Sequence, residues 1–213
     1  EIDQFENLFN NINEKPGSRY HLLSALNVGD LPEMALGPCP MIHQFSVFGN
    51  NLDLSMYQRS CDVFLGVPFN IAQDSLFLAM MAKHAGSTPR KFIHSYGNVH
   101  SYLGVSPRSD FWMDSKNVKD FQYRFRHSER GLDYLSLSAW YLNEAPPERE
   151  GSERKDHIPF ILEQLSKSPR PKLPSIELKD VPFREAVEMN AMDYATIKDY
   201  NPEKWDSKAE MAA

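Results

Sequence analysis

Apolar residues recur at Phe5, Leu8, Phe9 and Ile12 with the spacing of one helix face, and Lys15-Pro16-Gly17-Ser18 then supplies helix-stopping residues. The chain is therefore predicted to open on an amphipathic helix. Tyr20 to Asn27 is short and largely apolar. Met41 to Phe48 and Leu52 to Ser60 are two further strand-like runs, joined through Gly49-Asn50-Asn51, a combination suited to a hairpin. The three runs predict an antiparallel sheet.

Asn70 to Ala85 carries Ile71, Leu76, Phe77, Leu78, Met80 and Met81 on most sides of a helical projection and ends at Gly86, which predicts a long, central, buried helix. A strand over about Lys91 to Tyr102 follows. Beyond it, Asp110 to Tyr141 is rich in aromatic residues, and Ala145 to Asp156 is polar, contains Pro146 and Pro147, and is expected to be an exposed, mobile loop. Ile158 to Lys167 predicts a later helix, closed by Ser168-Pro169-Arg170-Pro171. Mixed in this order, the elements give an α+β pattern, and 213 residues suit one domain.

Composition narrows the classes without choosing among them. With 41% hydrophobic and 24% charged residues, the chain has the make-up of a soluble globular protein. No run approaches the roughly 18 consecutive apolar residues of a membrane span. The chain starts at Glu1 with no targeting pattern, and the missing initiator Met suggests a start inside a longer protein. A formal charge of −6 argues against coating nucleic acid, although a few placed arginines can still hold an anionic nucleotide. Two cysteines, Cys39 and Cys61, cannot form a disulfide framework, so a reducing, cytoplasmic compartment is expected. No metal is expected. His94 and His100, spaced evenly along one predicted strand, are the closest approach to a ligand pair.

Three segments put reactive or polar residues where an element would ordinarily want apolar ones. In Gly37-Pro38-Cys39-Pro40 the cysteine is either a small hydrophobe in a rigid turn or a nucleophile, and Arg59 is the cation positioned to stabilise its thiolate. Arg59-Ser60 suits phosphate oxygens or, alternatively, a strand-edge ion pair, and Arg19 is a possible second phosphate ligand. Asn70 offers a donor and an acceptor to a pyrimidine edge, or caps a helix. His100 and Tyr102, two apart, suit a sugar hydroxyl or a core pair. Asp62 is a carboxylate near the site, binding a cofactor or stabilising the hairpin.

Met34-Ala35-Leu36, Pro38-Cys39, the long block Tyr57-Gln58-Arg59-Ser60-Cys61-Asp62 continuing through Phe64-Leu65-Gly66-Val67-Pro68-Phe69-Asn70-Ile71-Ala72, and Phe92-Ile93-His94 with Gly97, His100 and Tyr102 occur in order. In this they resemble the thymidylate synthase family. The resemblance runs from about Ser18 to Tyr102, resumes at His157 to Pro174, and is weaker near Asp193-Tyr194 and Tyr200-Asn201-Pro202. It implies an α+β fold with a twisted, mixed or antiparallel sheet on a long central helix, and reductive methylation of dUMP. The co-substrate would be 5,10-methylenetetrahydrofolate, giving both carbon and hydride. Cys39 would add to the pyrimidine C6, with Arg59 and Asp62 also at the catalytic centre. Arg59 and Ser60 would hold the phosphate, Asn70 the uracil edge, and His100 and Tyr102 the ribose, with Gln58 also among the substrate-binding residues. Asp62, Gly66, Phe69 and Ala213 would face the folate. The resemblance further implies a homodimer packed sheet to sheet, with Arg19 reaching the partner's nucleotide. The strand runs alternate too poorly for a sheet with one wet face, as such packing would require.

The family's N-terminal part, with a phosphate arginine, a catalytic glutamate and a folate-contacting tryptophan, has no counterpart here. Pro40 stands where the family has histidine, Tyr20 replaces a second arginine, and Gly37 replaces a proline. Residues 103–156 exceed the family's connection, and their aromatics suggest an ordered addition. Two alternatives follow: a pyrimidine-nucleotide hydroxymethylase ending in water addition, and a non-catalytic relative kept for binding or assembly. Asn70 in place of an aspartate favours uracil over cytosine.

Overall fold

A computed structural model describes residues 2–129, 131–151, 155–168 and 173–200. In chain order the elements are α1 (Gln4–Glu14), β1 (Leu22–Ser24), a 3₁₀ segment (Val28–Glu33), β2 (Pro40–Phe48), β3 (Asn51–Asp62), α2 (Gly66–His84) and β4 (Thr88–His100). A second 3₁₀ segment (Arg108–Met113), α3 (Ser115–Arg126), α4 (Leu132–Glu144) and α5 (Ile158–Ser166) follow. The last are β5 (Ser175–Leu178), α6 (Phe183–Glu188), α7 (Ala191–Tyr194) and β6 (Ala195–Lys198). Helix and mixed sheet combine in the expected α+β class. Contacts divide the chain into two compact units, Glu1–His100 with Pro174–Lys198, and Ser101–Leu173 with Asp199–Ala213. Among the described residues no helix is long and apolar enough to cross a membrane.

In the first unit Asp3 caps α1 by accepting from the Glu6 amide at 3.0 Å, and Leu8 and Ile12 are buried. His21, wholly buried, closes the other end: its Nε2 lies 3.2 Å from the Asn11 carbonyl and 3.1 Å from that of Lys15. The sheet order is β1-β2-β3-β4, with antiparallel pairing of the first three strands and parallel pairing of β3 with β4. Helix α2 makes that parallel step possible by carrying the chain back along the sheet. Gly49, at φ +61°, turns the β2–β3 hairpin in the left-handed region where glycine lacks a Cβ penalty.

Helix α2 buries Asp74, Leu78, Met81 and Ala82, a one-sided stripe laid on Phe45, Leu52 and Leu54 of the sheet. The expectation of a helix buried on most sides is corrected here, since Phe69 and Ile71 are exposed. Expected β1 also shrinks from Tyr20 to Asn27 down to three residues, since only Leu22, Leu23 and Ser24 pair with β2. The β5–β6 pair and the short α6 and α7 were not anticipated. They attach through Phe9 stacked on Phe183 at 4.1 Å and through the Lys83 ammonium donating to the Leu178 carbonyl at 3.0 Å.

The sheet face away from α2 leaves Leu22, Ile42, Tyr57 and Ile93 between 45% and 48% exposed. On the same face Arg90 holds Asp53 with two bonds, 2.8 Å from Nε and 2.6 Å from Nη2. Those bonds, opposed by burial, keep the Asp53 carboxyl below the usual carboxylate range. A depressed acid stabilises the fold above its unfolded pKa and ceases to do so as pH falls through its folded pKa. Urea melts at a series of acidic pH values are expected to lose this contribution below the ordinary carboxylate range. Arg90→Gln should flatten that limb.

The second unit is built on an aromatic cluster. Phe111, Tyr141 and Ala145 are buried, with Trp112, Phe121, Trp140 and Ile158 packed on them. Tyr141 Oη donates to Asp156 Oδ2 at 2.7 Å and accepts from Trp112 Nε1 at 3.3 Å, while Asp156 Oδ1 accepts from the Ile158 amide at the start of α5 at 3.1 Å. Burial raises the Asp156 carboxyl, and burial together with that carboxylate raises the Tyr141 hydroxyl. The loop expected to be exposed over residues 145–156 is thus buried at both Ala145 and Asp156, because its ends complete this cluster. Tyr141→Phe leaves a buried carboxylate oxygen short of a donor, and a loss of about 1–3 kcal/mol is expected in chemical denaturation.

Candidate active site

The loop before β2 carries Cys39 between two prolines. Pro40, which lacks an N–H, begins β2 at a register irregularity between Pro40 and Ile42, where the missing donor is tolerated. The Cys39 carbonyl accepts from the Arg59 amide at 2.9 Å. The Arg59 guanidinium turns back on the same loop, donating from Nε to the Pro38 carbonyl at 2.9 Å and from Nη2 to that of Gly37. Arg59 therefore belongs to an interior strand and to the Cys39 loop, which removes the strand-edge ion-pair alternative. Both cysteines are free thiols. Cys61 is fully buried and burial pushes its thiol up, so the half-buried Cys39 is the thiol open to chemistry.

Helix α2 starts four residues earlier than anticipated because Asp62 serves its first turn. Its two carboxylate oxygens accept from the Phe64 amide at 3.1 Å and the Gly66 amide at 3.4 Å. Pro68 is accommodated because a proline in the first turn forfeits no intrahelical bond. Asn70 consequently sits inside the helix and is no N-cap. Its Oδ1 accepts from Gln58 Nε2 at 2.9 Å, and the same nitrogen donates to the Ser60 carbonyl at 2.8 Å. A Cβ on Gly66 would lie 3.4 Å from the Asp62 Cβ and 3.7 Å from Asn70 Oδ1, in ordinary van der Waals contact with both. Phe69 beside it is 74% exposed, a flat apolar face open to a planar heterocycle.

Gly97 of β4 lies close against β3. A Cβ there would stand 2.8 Å from the Arg59 carbonyl and from Tyr57 Oη, and 3.1 Å from the Gln58 carbonyl. Two of these three atoms are backbone carbonyls of β3, which cannot give way as a side chain would. Gly97→Ala is expected to shift β3 at Arg59 and lower the melting temperature.

His100 ends β4 opposite Asp62 in the β3–β4 register, and its carbonyl accepts from the Val63 amide at 3.1 Å. Its Nδ1 lies 3.2 Å from the Asn98 carbonyl. Tyr102 is past the strand and belongs to the other unit, so the expected extended pair with His100 is interrupted. There its ring packs edge-on to His157 at 5.4 Å. Arg19 stands exposed on the α1–β1 connection with no hydrogen bond or ion pair among the described residues. Ala213 lies outside the described residues.

Cys39, Gln58, Arg59, Ser60, Asp62, Gly66 and Asn70 are thus linked where the ends of β2 and β3 meet the start of α2. Two cavities of about 240 Å³ elsewhere in the first unit, one around Phe9 and Phe183 and one around Phe77 and Tyr194, carry none of these groups. A model of the thymidylate synthase family matches residues 1–213. The chain belongs to the thymidylate synthase family. A thymidylate synthase of Haloferax volcanii is 31% identical to it over 201 residues, which is 94% of this chain and 57% of that relative. The chain thus spans little more than half the length of the relative it matches.

Within this family's framework, the structure adds two histidine bonds that the sequence did not predict. His94 Nε2 lies 2.8 Å from Gln58 Oε1, and His43 Nε2 lies 2.9 Å from Asp74 Oδ1, both on the α2 side of the sheet. Burial lowers the His94 pKa, against an opposing pull from Asp74. The sequence signal was a histidine at each of two inward-facing strand positions, where apolar residues are the norm. His94 and His100 do not pair on a metal: six residues along a strand span about 20 Å. Among the described residues no group of three or more potential ligands could hold one.

Proposed function

We propose that the protein carrying this chain methylates dUMP reductively to dTMP, with 5,10-methylenetetrahydrofolate as co-substrate and Cys39 as nucleophile. The observation that carries this reading is the linkage of Cys39 to Arg59 and of Asn70 to Gln58 at one corner of a thymidylate synthase-family fold. The Cys39 sulfur bonds to C6 of the uracil, and the electron pair released makes C5 the nucleophile. The reduced folate supplies a one-carbon unit and a hydride. Loss of the C5 proton and breaking of the C6–S bond return the thiolate and release the product.

Arg59 and Ser60 hold the phosphate, the guanidinium being prepositioned by the Gly37 and Pro38 carbonyls. Asn70 faces the base and His100 the ribose. Asp62, whose carboxylate organises the first turn of α2, contacts the pterin ring, with Gly66 beside it and Phe69 a stacking surface. We also propose a homodimer formed through the face bearing Leu22, Ile42, Tyr57 and Ile93, with Arg19 donated to the partner's nucleotide. The reaction runs in a reducing, cytoplasmic setting, consistent with two free thiols, and needs neither metal nor nucleic acid.

The test is product analysis of the intact protein given dUMP and methylenetetrahydrofolate. Equal yields of dTMP and dihydrofolate are expected. A hydroxymethylated nucleotide without folate oxidation would replace this reaction with hydration, and no turnover would favour a binding role.

A further inference from the structure

His94 lies outside the phosphate, base, ribose and folate contacts assigned above, yet it is bonded to the residue that holds Asn70. A side-chain amide oxygen only accepts, so His94 Nε2 must be the donor in its 2.8 Å bond to Gln58 Oε1. With its oxygen so occupied, Gln58 must direct its nitrogen the other way, and both hydrogens are used, on the Ser60 carbonyl and on Asn70 Oδ1. Asn70 is thereby oriented in turn. Its oxygen is anchored against Gln58, and its Nδ2, with two hydrogens, is left directed away from that anchor.

The chain of bonds is rigid at its origin. The His94 ring lies between those of Phe92, at 5.3 Å, and Tyr96, at 4.1 Å, its neighbours two residues away on the same face of β4. Gln58 is 1% exposed, so no water competes for its amide. The parallel register, with His94 opposite Met56 and Tyr96 opposite Gln58, fixes the span between the two side chains.

We propose that His94 is a specificity-positioning residue which, through Gln58, sets the flip of the Asn70 amide and so selects a pyrimidine with a carbonyl at C4 over one with an amine. This rests on the assignment of Asn70 to the base. The C4 carbonyl of uracil accepts from Nδ2. The C4 amine of cytosine would meet that nitrogen donor to donor, and turning the Asn70 amide to relieve the conflict would break the Gln58 bond and strand a buried donor. Without His94, Gln58 can turn over, Asn70 can follow, and the two bases become less distinguishable.

The experiment measures binding of dUMP and dCMP to the intact protein and to His94→Leu, His94→Asn and His94→Gln variants, with melting temperature and circular dichroism as folding controls. The glutamine amide nitrogen can occupy the place of His94 Nε2, whereas asparagine is too short and leucine has no donor. The dUMP-over-dCMP affinity ratio is expected to fall about tenfold in the leucine and asparagine variants and to stay within about threefold in the glutamine variant. A ratio unchanged in whichever of the leucine and asparagine variants folds, or a ratio lost equally in the glutamine variant, overturns the role of His94. A wild-type protein without preference for dUMP would overturn the Asn70 assignment itself, and this inference with it.

Discussion

Replacing Cys39 with serine is expected to lower the turnover of dUMP by about 10³-fold or more while leaving nucleotide affinity within a few-fold of wild type. At 1.36 kcal/mol per tenfold, that is at least about 4 kcal/mol of barrier. A serine hydroxyl is almost wholly protonated at neutral pH, whereas a thiol reaches its nucleophilic anion far more readily. Cys61 cannot substitute. It is fully buried, and burial pushes its thiol pKa up. Steady-state kinetics with dUMP, alongside equilibrium binding, separates the two effects. Turnover kept in the serine variant would remove Cys39 from the chemistry.

The second large effect concerns Arg19. Its guanidinium is exposed and engages no other described residue, while the sheet face of the same unit shows Leu22, Ile42, Tyr57 and Ile93 to solvent. If that face meets its copy across a two-fold axis, Arg19 completes the neighbouring phosphate site, and Arg19→Ala alone should be nearly inactive. Mixing Arg19→Ala chains with Cys39→Ser chains then restores one complete site in each mixed dimer. Recovery of roughly a quarter of wild-type activity per chain is expected for random pairing. Verified mixed dimers that remain inactive would reject the shared site.

What could be read from the sequence was what long periodic segments and local chemistry encode. Helix α1, the hairpin at Gly49, and the bodies of α2, β4 and α5 all followed from spacing. The start of α2 was misplaced because Gly66-Val67-Pro68 looks like a break, when Asp62 in fact supports a first turn that tolerates proline. Elements β5, α6, α7 and β6, of four to six residues each, are too short to show a period. The end of the loop at Asp156 looked exposed because a carboxylate ordinarily is, and only the fold supplies Tyr141 and Arg108 as its partners. In the site, Cys39, Arg59 and Asn70 could be singled out from the residue types their surroundings make unusual. The bond from His94 to Gln58 could not, because it depends on the parallel register of two strands separated by a helix.

The central claim is a covalent bond between Cys39 and a pyrimidine nucleotide in the presence of reduced folate. 5-Fluoro-dUMP tests it directly, because fluorine at C5 cannot leave as a proton does and the adduct is held at that stage. Intact-mass and peptide mass spectrometry of the protein incubated with 5-fluoro-dUMP and methylenetetrahydrofolate should find a ternary adduct on the peptide containing Cys39, and none in Cys39→Ser. A protein that binds both compounds yet carries no adduct, or carries it on Cys61, would contradict the account.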